Sequence, residues 1–340
     1  MRAAIYQGAG QPISIETIAD PTPGPGEMLV RVGRCGICGS DLAMTGDGPL
    51  HLPVGRLGHE WAGEVIEVGR DVEGFRPGDR IAGLPAARCG TCDGCRTGNP
   101  LFCEHARYLV GGFGEYMVIP PVAAVRLPQS LSFTDGALIE PMTCGLHALN
   151  FAGARGGENV LVIGAGAMAM SAIFWARNLG AAQIVVLSRS AHRADVLMEL
   201  GADAVLGFDE DDRARIAEKL GGHPDIVFEC VGKQGMLALA TEQVRPQGTV
   251  LSLGMCQHGD PVVPAFCTHK EVRLLFPRAY TIDEFEATAR AFDGGRIRPE
   301  IMVGETIPLD DLPGMMAALR TGAKKTFKVH VDPSMASKSK

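Results

Sequence analysis

Residues 160–169, Val160-Leu161-Val162-Ile163-Gly164-Ala165-Gly166-Ala167-Met168-Ala169, read as a buried strand, a tight turn and the start of an apolar helix. The turn has the form G-x-G-x-x-A. In this pattern Gly164 permits the turn, Gly166 lets a pyrophosphate approach the backbone, and Ala169 lets the helix pack on the strand. Phosphates would rest on the free N–H groups and positive dipole end of the helix. Such a match alone could be a glycine-rich packing turn. Here a strand, a turn, a helix and a second strand all fall where dinucleotide binding requires them. The uncharged run Val160–Ala176 is too short, too early in glycine and too poor in basic flanks for a bilayer span.

Downstream of residue 149, strands and helices alternate. Strands are expected at Val160–Ile163, Ile184–Leu187, Ala204–Leu206, Ile226–Glu229 and Thr249–Leu253. Helices are expected to Leu179, over Ala191–Leu200, near Asp212–Leu220 and over Gly235–Val244. Buried strands interleaved with helices of this length predict a parallel, doubly wound Rossmann sheet over 149–287. Upstream, residues 1–148 carry short strand-like runs (Ala3–Tyr6, Met28–Val32, Gly63–Val68, Tyr116–Ile119) between turns such as Pro23-Gly24-Pro25-Gly26. That texture predicts a compact β domain of barrel type. Residues 288–340 return to shorter elements, with a closing strand at Thr326–Val331, and are expected to complete the first domain. Pro333–Lys340 reads as a frayed tail.

The end of the second Rossmann strand bears on the cofactor. A carboxylate there would bind the ribose 2′-hydroxyl of NAD. This chain has Ser188-Arg189-Ser190, with Arg193 following. A hydroxyl and two guanidiniums can hold a 2′-phosphate, so NADP(H) is expected over NAD(H). The plainer alternative is that both arginines are solvated surface residues.

Cys89, Cys92, Cys95 and Cys103 are spaced C-x2-C-x2-C-x7-C in a loop of small and polar residues. Four thiolates can close a tetrahedral Zn²⁺ shell and order a lobe that has no core of its own. Disulfides or unligated thiols are the alternative, but tight C-x2-C pairs are metal spacing. A closed shell has no open position, so this zinc would be structural. His105 could compete, but four sulfurs already complete the shell. The formal net charge of −7, with no basic stripe, excludes a nucleic-acid finger. No signal-peptide pattern precedes the first strand-like run, and thiols must stay reduced to bind metal. A cytoplasmic location is therefore expected.

Three further fragments offer metal ligands of mixed type: Cys35-Gly36-Ile37-Cys38-Gly39-Ser40-Asp41, Gly58-His59-Glu60-Trp61-Ala62-Gly63, and Glu140-Pro141. Three protein ligands would leave a fourth position for water or substrate. Alone, Cys38 or His59 would read as a core residue; beside the dinucleotide turn and the four-cysteine loop the balance reverses.

These motifs, in this order and over essentially the whole chain, resemble the zinc-containing medium-chain dehydrogenase/reductases, in the branch of sorbitol, threonine and related secondary-alcohol dehydrogenases. The resemblance implies a GroES-like catalytic domain and a Rossmann domain, with the active site in the cleft between them. It implies that Cys38 and His59 bind a catalytic zinc, with Glu60 or Glu140 as a further ligand, and that Asp41 orients His59. Two zinc ions per chain follow. Such a zinc acts as a Lewis acid on an alcohol or carbonyl oxygen while hydride passes to or from the nicotinamide. Ser40 is the expected first proton-relay hydroxyl, or else a hydroxyl satisfied within its loop. Cys230, Val231, Leu253 and Gly254, at the ends of later strands, are expected to flank the nicotinamide. Homodimers or homotetramers are usual in this branch.

The chain departs from its polyol-oxidising relatives. The His and Tyr that follow their catalytic Cys motif align with Ala43 and Met44, and their substrate-binding Arg aligns with Ala279, one residue from Arg278. A pocket without those donors should favour apolar secondary alcohols or ketones over polyols. His51 is a possible outer relay, or a loop histidine without a role. Cys144 and His147 read as packing, and Cys230, Cys256 and Cys267 have no metal spacing. An NAD-linked polyol or amino-alcohol dehydrogenase of the same fold is the second reading. A nucleotide-binding zinc protein without turnover is the third.

Overall fold

The computed structural model describes residues 1–209, 212–295 and 298–337. The chain divides into two compact units, Met1–Glu140 with Tyr280–Lys340, and Pro141–Ala279. The divisions follow Glu140 and Ala279, where the sequence suggested 148 and 287.

The first unit is built on the strands Met28–Gly36 and Glu60–Val68, which pair antiparallel with Gly36 opposite Glu60 and Cys35 opposite Trp61. In the seven-stranded sheet, Arg80–Gly83 and Ala124–Arg126 extend from one side of this pair. Lys328–Asp332 and Val303–Pro308 extend from the other, and Tyr116–Ile119 also joins Met28–Gly36. The closing strand thus reaches back across the chain: His330 stands opposite Gly36 and Val331 opposite Cys35. The register is held by alternation, because Met28, Val30 and Val32 are buried while Arg31 pairs with Glu64 on the outer face at 2.8 Å.

In the second unit six strands pair in parallel. Their order is Ala204–Leu206, Gln183–Leu187, Asn159–Ile163, Ile226–Glu229, Thr249–Ser252 and Arg273–Leu275, the 3-2-1-4-5-6 order of a doubly wound sheet. The sixth strand, Arg273–Leu275, was not anticipated; three residues give too short a pattern to read. The helix anticipated over 191–200 is shorter, a 3₁₀ turn Ala191–Arg193 leading into Ala194–Glu199. Leu161, Ile163, Val185, Leu187, Val227 and Val250 form the core with Ile216, Leu220, Ala240 and Val244 from the helices. Among the described residues no helix is long and apolar enough to cross a membrane.

The helix Phe133–Ala152 contains Pro141, which has no N–H to donate. Side chains of the helix Ala167–Leu179 serve the neighbouring backbone. The Ser171 hydroxyl donates to the Met142 carbonyl at 2.8 Å and accepts from the Gly145 N–H at 3.1 Å. The Trp175 indole donates to the same carbonyl at 2.7 Å.

Candidate active site and metal centres

The antiparallel pair that ends at Gly36 and begins at Glu60 sets two chain segments side by side, with Cys38 just past one end and His59 just before the other. Cys38 caps the helix Gly39–Met44. Its Sγ accepts from the Ser40 N–H at 3.5 Å, while its own N–H donates to Asp41 Oδ2 at 2.9 Å, completing a capping box. The other carboxylate oxygen of Asp41 lies 3.4 Å from His59 Nδ1. The contact turns Nδ1 toward Asp41 and leaves Nε2 for a metal. One ligand atom each from Cys38, His59 and Glu60 lies within 4.8 Å of the others. Sulfur, imidazole and carboxylate at that spacing fit three positions of a tetrahedral zinc shell.

Two residues that the sequence reading did not single out act on the carboxylates. Lys328, its side chain 3% exposed, places Nζ 2.5 Å from both oxygens of Glu60, itself fully buried. The register explains this, since Lys328 precedes His330, the partner of Gly36. A Cβ at Gly36 would stand 2.2 Å from Glu60 Oε2 and 2.9 Å from Lys328 Cε, so only glycine allows the approach. Glu140 lies outside the ligand trio, and its Oε1 accepts from the buried Tyr280 hydroxyl at 2.9 Å. The only sequence signal for Lys328 was its place in the expected closing strand.

Burial disfavours a charge on His59, but the Asp41 carboxylate and the Cys38 sulfur outweigh it and hold the imidazole well above its ordinary pKa. Burial pushes Glu140 up to about 7, with Glu60 adding to the shift and His59, Tyr280 and Lys328 opposing it. For Lys328 burial is overcome, chiefly by Glu60, and the ammonium is held above its usual range. The Ser40 hydroxyl has no hydrogen-bond partner among the described residues.

The four cysteines of the small lobe form the second ligand group. Their sulfurs stand 3.8 Å (Cys89–Cys95), 3.5 Å (Cys92–Cys95) and 3.9 Å (Cys92–Cys103) apart. A tetrahedron with Zn–S bonds of about 2.3 Å has an edge of about 3.8 Å, so the group fits zinc. Backbone N–H groups of Cys89, Gly90 and Glu104 point at Cys103, Cys95 and Cys92, at 3.3, 3.3 and 3.4 Å, and favour thiolates. The backbone and hydroxyl of Thr91 pull Cys89 down to about 5, whereas burial and neighbouring sulfurs push Cys95 up to about 11. Four sulfurs this close ionise together only around a cation.

In the second unit Gly164 takes φ 121° and Gly166 is the N-cap of the helix Ala167–Leu179, where it makes no side-chain cap hydrogen bond. Ala167, Met168 and Ala169 form its first turn. Arg193 Nη1 donates to the Ala165 carbonyl at 2.6 Å, which holds the guanidinium over the glycine turn. Ser188 is buried with its hydroxyl accepting from the Ser190 N–H at 3.0 Å, and Arg189 is exposed. Two strand-end loops lie together: Cys230 N–H donates to the Ile163 carbonyl, and the Leu253 and Gly254 N–H groups donate to that of Glu229. Ala279 is held at φ 55°, a strained conformation for a residue with a Cβ.

The chain matches the family described as alcohol dehydrogenase GroES-like domain over residues 24–129, and the zinc-binding dehydrogenase family over residues 167–293. A sorbitol dehydrogenase of Gallus gallus is 30% identical over 98% of this chain and 97% of that protein. An (R,R)-butanediol dehydrogenase of Bacillus subtilis (strain 168) is 31% identical over 98% of this chain and 100% of its own length. Among solved structures, a zinc-binding dehydrogenase from Sinorhizobium meliloti 1021 bound to NADP superposes with a TM-score of 0.88 at 30% identity, covering 98% of this chain and 99% of that one.

Proposed function

The chain belongs to the zinc-containing medium-chain dehydrogenase/reductases, alcohol and polyol oxidoreductases, and from that premise we propose that it transfers hydride between NADP(H) and a secondary alcohol or ketone. The observation that carries this reading is the meeting of Cys38, His59 and Glu60 ligand atoms within 4.8 Å in a chain that also has an uncapped dinucleotide turn. A zinc held there supplies a Lewis acid for the substrate oxygen, and the nicotinamide supplies or accepts the hydride. Asp41 keeps the His59 ring in the tautomer that presents Nε2. Lys328 sets where the Glu60 carboxylate stands. The Ser40 hydroxyl, free to rotate, passes the proton between the substrate oxygen and solvent. Cys230, Val231, Leu253 and Gly254 flank the nicotinamide. The four-cysteine lobe holds a second, structural zinc.

NADP(H) preference is supported by Ser188, Arg189 and Arg193 in place of an acid at the strand end, and by NADP in the Sinorhizobium meliloti relative. A preference for simple secondary alcohols is supported by Ala43, Met44 and Ala279 where polyol dehydrogenases carry polar side chains. The second reading is an NAD-linked polyol dehydrogenase, and the sorbitol dehydrogenase relatives favour its polyol substrate. One panel separates the two: oxidation of 2-alkanols, sorbitol and xylitol and reduction of the matching ketones, with NADP(H) and NAD(H) in parallel. The proposal expects higher kcat/KM for 2-alkanols with NADP; a far higher value for sorbitol or xylitol overturns it. Metal analysis should find two zinc per chain and one after Cys38→Ser.

A homodimer or homotetramer is supported by the open sheet edge at Arg273–Leu275, beside which Phe276 is 62% exposed. A cytoplasmic location is supported by ten cysteines of which none forms a disulfide among the described residues.

A further inference from the structure

The strand Ile226–Glu229 ends on a carboxylate that is 1% exposed. Its Oε1 accepts from the backbone N–H groups of Val231 at 2.7 Å and Gly232 at 2.8 Å, and the Ser252 hydroxyl lies 3.4 Å from Oε2. Gly232 and Gly254 press together beside it. A Cβ at Gly254 would stand 2.2 Å from the Gly232 nitrogen and 2.6 Å from Glu229 Oε2. One side chain therefore fastens the two loops that the proposed function places against the nicotinamide. Its hydrogen-bond partners are all dipoles, and among the described residues no lysine, arginine or histidine forms an ion pair with it. Buried carboxylates are as a rule matched by a cation, because dipoles alone offset desolvation only in part. The neighbouring thiol of Cys230 offers none: burial, and then the Glu229 charge, push its pKa well up, so it stays neutral.

A nicotinamide ring is cationic when oxidised and neutral when reduced. A fixed negative charge at its site separates the two forms by electrostatics alone. We infer that Glu229 is the counter-charge of the oxidised nicotinamide, binding oxidised cofactor in preference to reduced and so biasing the site toward carbonyl reduction. In that direction hydride leaves C4 of the reduced ring for the carbonyl carbon, a proton joins the carbonyl oxygen, and the ring acquires the positive charge that Glu229 favours. This inference rests on the cofactor reading above and adds a direction to it.

The test is direct binding of NADP⁺, NADPH and adenosine 2′,5′-bisphosphate, a ringless fragment, to the full-length protein and to Glu229→Gln. Glutamine keeps an oxygen for Val231 and Gly232 and removes the charge. The variant should lose affinity for NADP⁺ roughly tenfold more than for NADPH, equivalent to about 1.4 kcal/mol, and bind the bisphosphate unchanged. Ser252→Lys, which sets an ammonium beside Oε2, should shift the ratio the same way and serves if Glu229→Gln does not fold. Equal loss for both redox forms, or no change in their ratio, overturns the inference and leaves the cofactor reading intact. Failure of the parent to bind all three compounds overturns both.

Discussion

Glu60 and Lys328 form a buried ion pair at the edge of the candidate zinc site, and the pair has two opposed consequences. The ammonium keeps the Glu60 charge tolerable where water cannot reach it. It also competes with any metal for the same oxygens. Removing one member of a buried pair leaves the other uncompensated, at a cost of about 3 kcal/mol or more. Lys328→Met should therefore destabilise the metal-free protein by about that amount. The stranded carboxylate then has only Cys38 and His59 as neighbours in the ligand group, so added zinc should raise the melting temperature of the variant more than that of the parent. Melting curves with and without zinc decide this; equal zinc responses would mean that Lys328 does not restrain Glu60. The arginines proposed to hold the cofactor act at the same scale. Arg193→Ala removes the guanidinium held over the glycine turn by the Ala165 carbonyl. It should raise KM for NADP⁺ by about tenfold, the loss of one charge-assisted contact, with little effect on NAD⁺. A parallel rise for both cofactors would place Arg193 in the structure of the turn instead.

Among the elements, the helix Phe133–Ala152 and the helix Ala167–Leu179 that follows the glycine turn depend on each other. Proline within the first disturbs its ladder, and Ser171 and Trp175 of the second serve the backbone groups beside the disturbance. Trp175→Phe should cost about 1 kcal/mol, since Met142 keeps its bond from Ser171. Ser171→Ala should cost about 2 kcal/mol, because it removes two hydrogen bonds, to the Met142 carbonyl and from the Gly145 N–H. The two share an acceptor, so the double variant should depart from additivity. Urea midpoints of the four proteins test this, and strict additivity would show that the Met142 carbonyl is not the common point.

On the scale of the whole molecule, acid sensitivity has a source apart from either ligand group. His330 is fully buried on the closing strand, and neither ring nitrogen has a hydrogen-bond partner among the described residues. Burial, with Lys328 and Arg34 nearby, pulls it down to about 3. In the unfolded chain it takes up a proton near its ordinary value of about 6.5. Between these values the unfolded state binds more protons than the folded one. Stability therefore falls as pH drops below about 6.5, by at most about 1.4 kcal/mol per pH unit from this group. His330→Leu should flatten the loss of urea stability between pH 7 and pH 5 relative to the parent. An unchanged slope would assign the acid sensitivity to other groups.

Much of the architecture was legible because its signals are local. The apolar run ending at Ile163, the glycines at 164 and 166 and the small Ala169 carry their meaning at fixed spacing, whatever surrounds them. The same holds for the four sulfurs between Cys89 and Cys103, since a short loop can bring them together without help from the rest of the chain. The strand Arg273–Leu275 escaped because three residues are too few to show a period. Lys328 escaped for a different reason: it lies 268 residues from Glu60, and no periodicity links them. Composition and spacing determined which donors the protein owns and which glycine turn it builds. Sheet register, a property of strands pairing across the whole chain, decided which charges share a buried space, because one residue of slip would turn Lys328 to the opposite face.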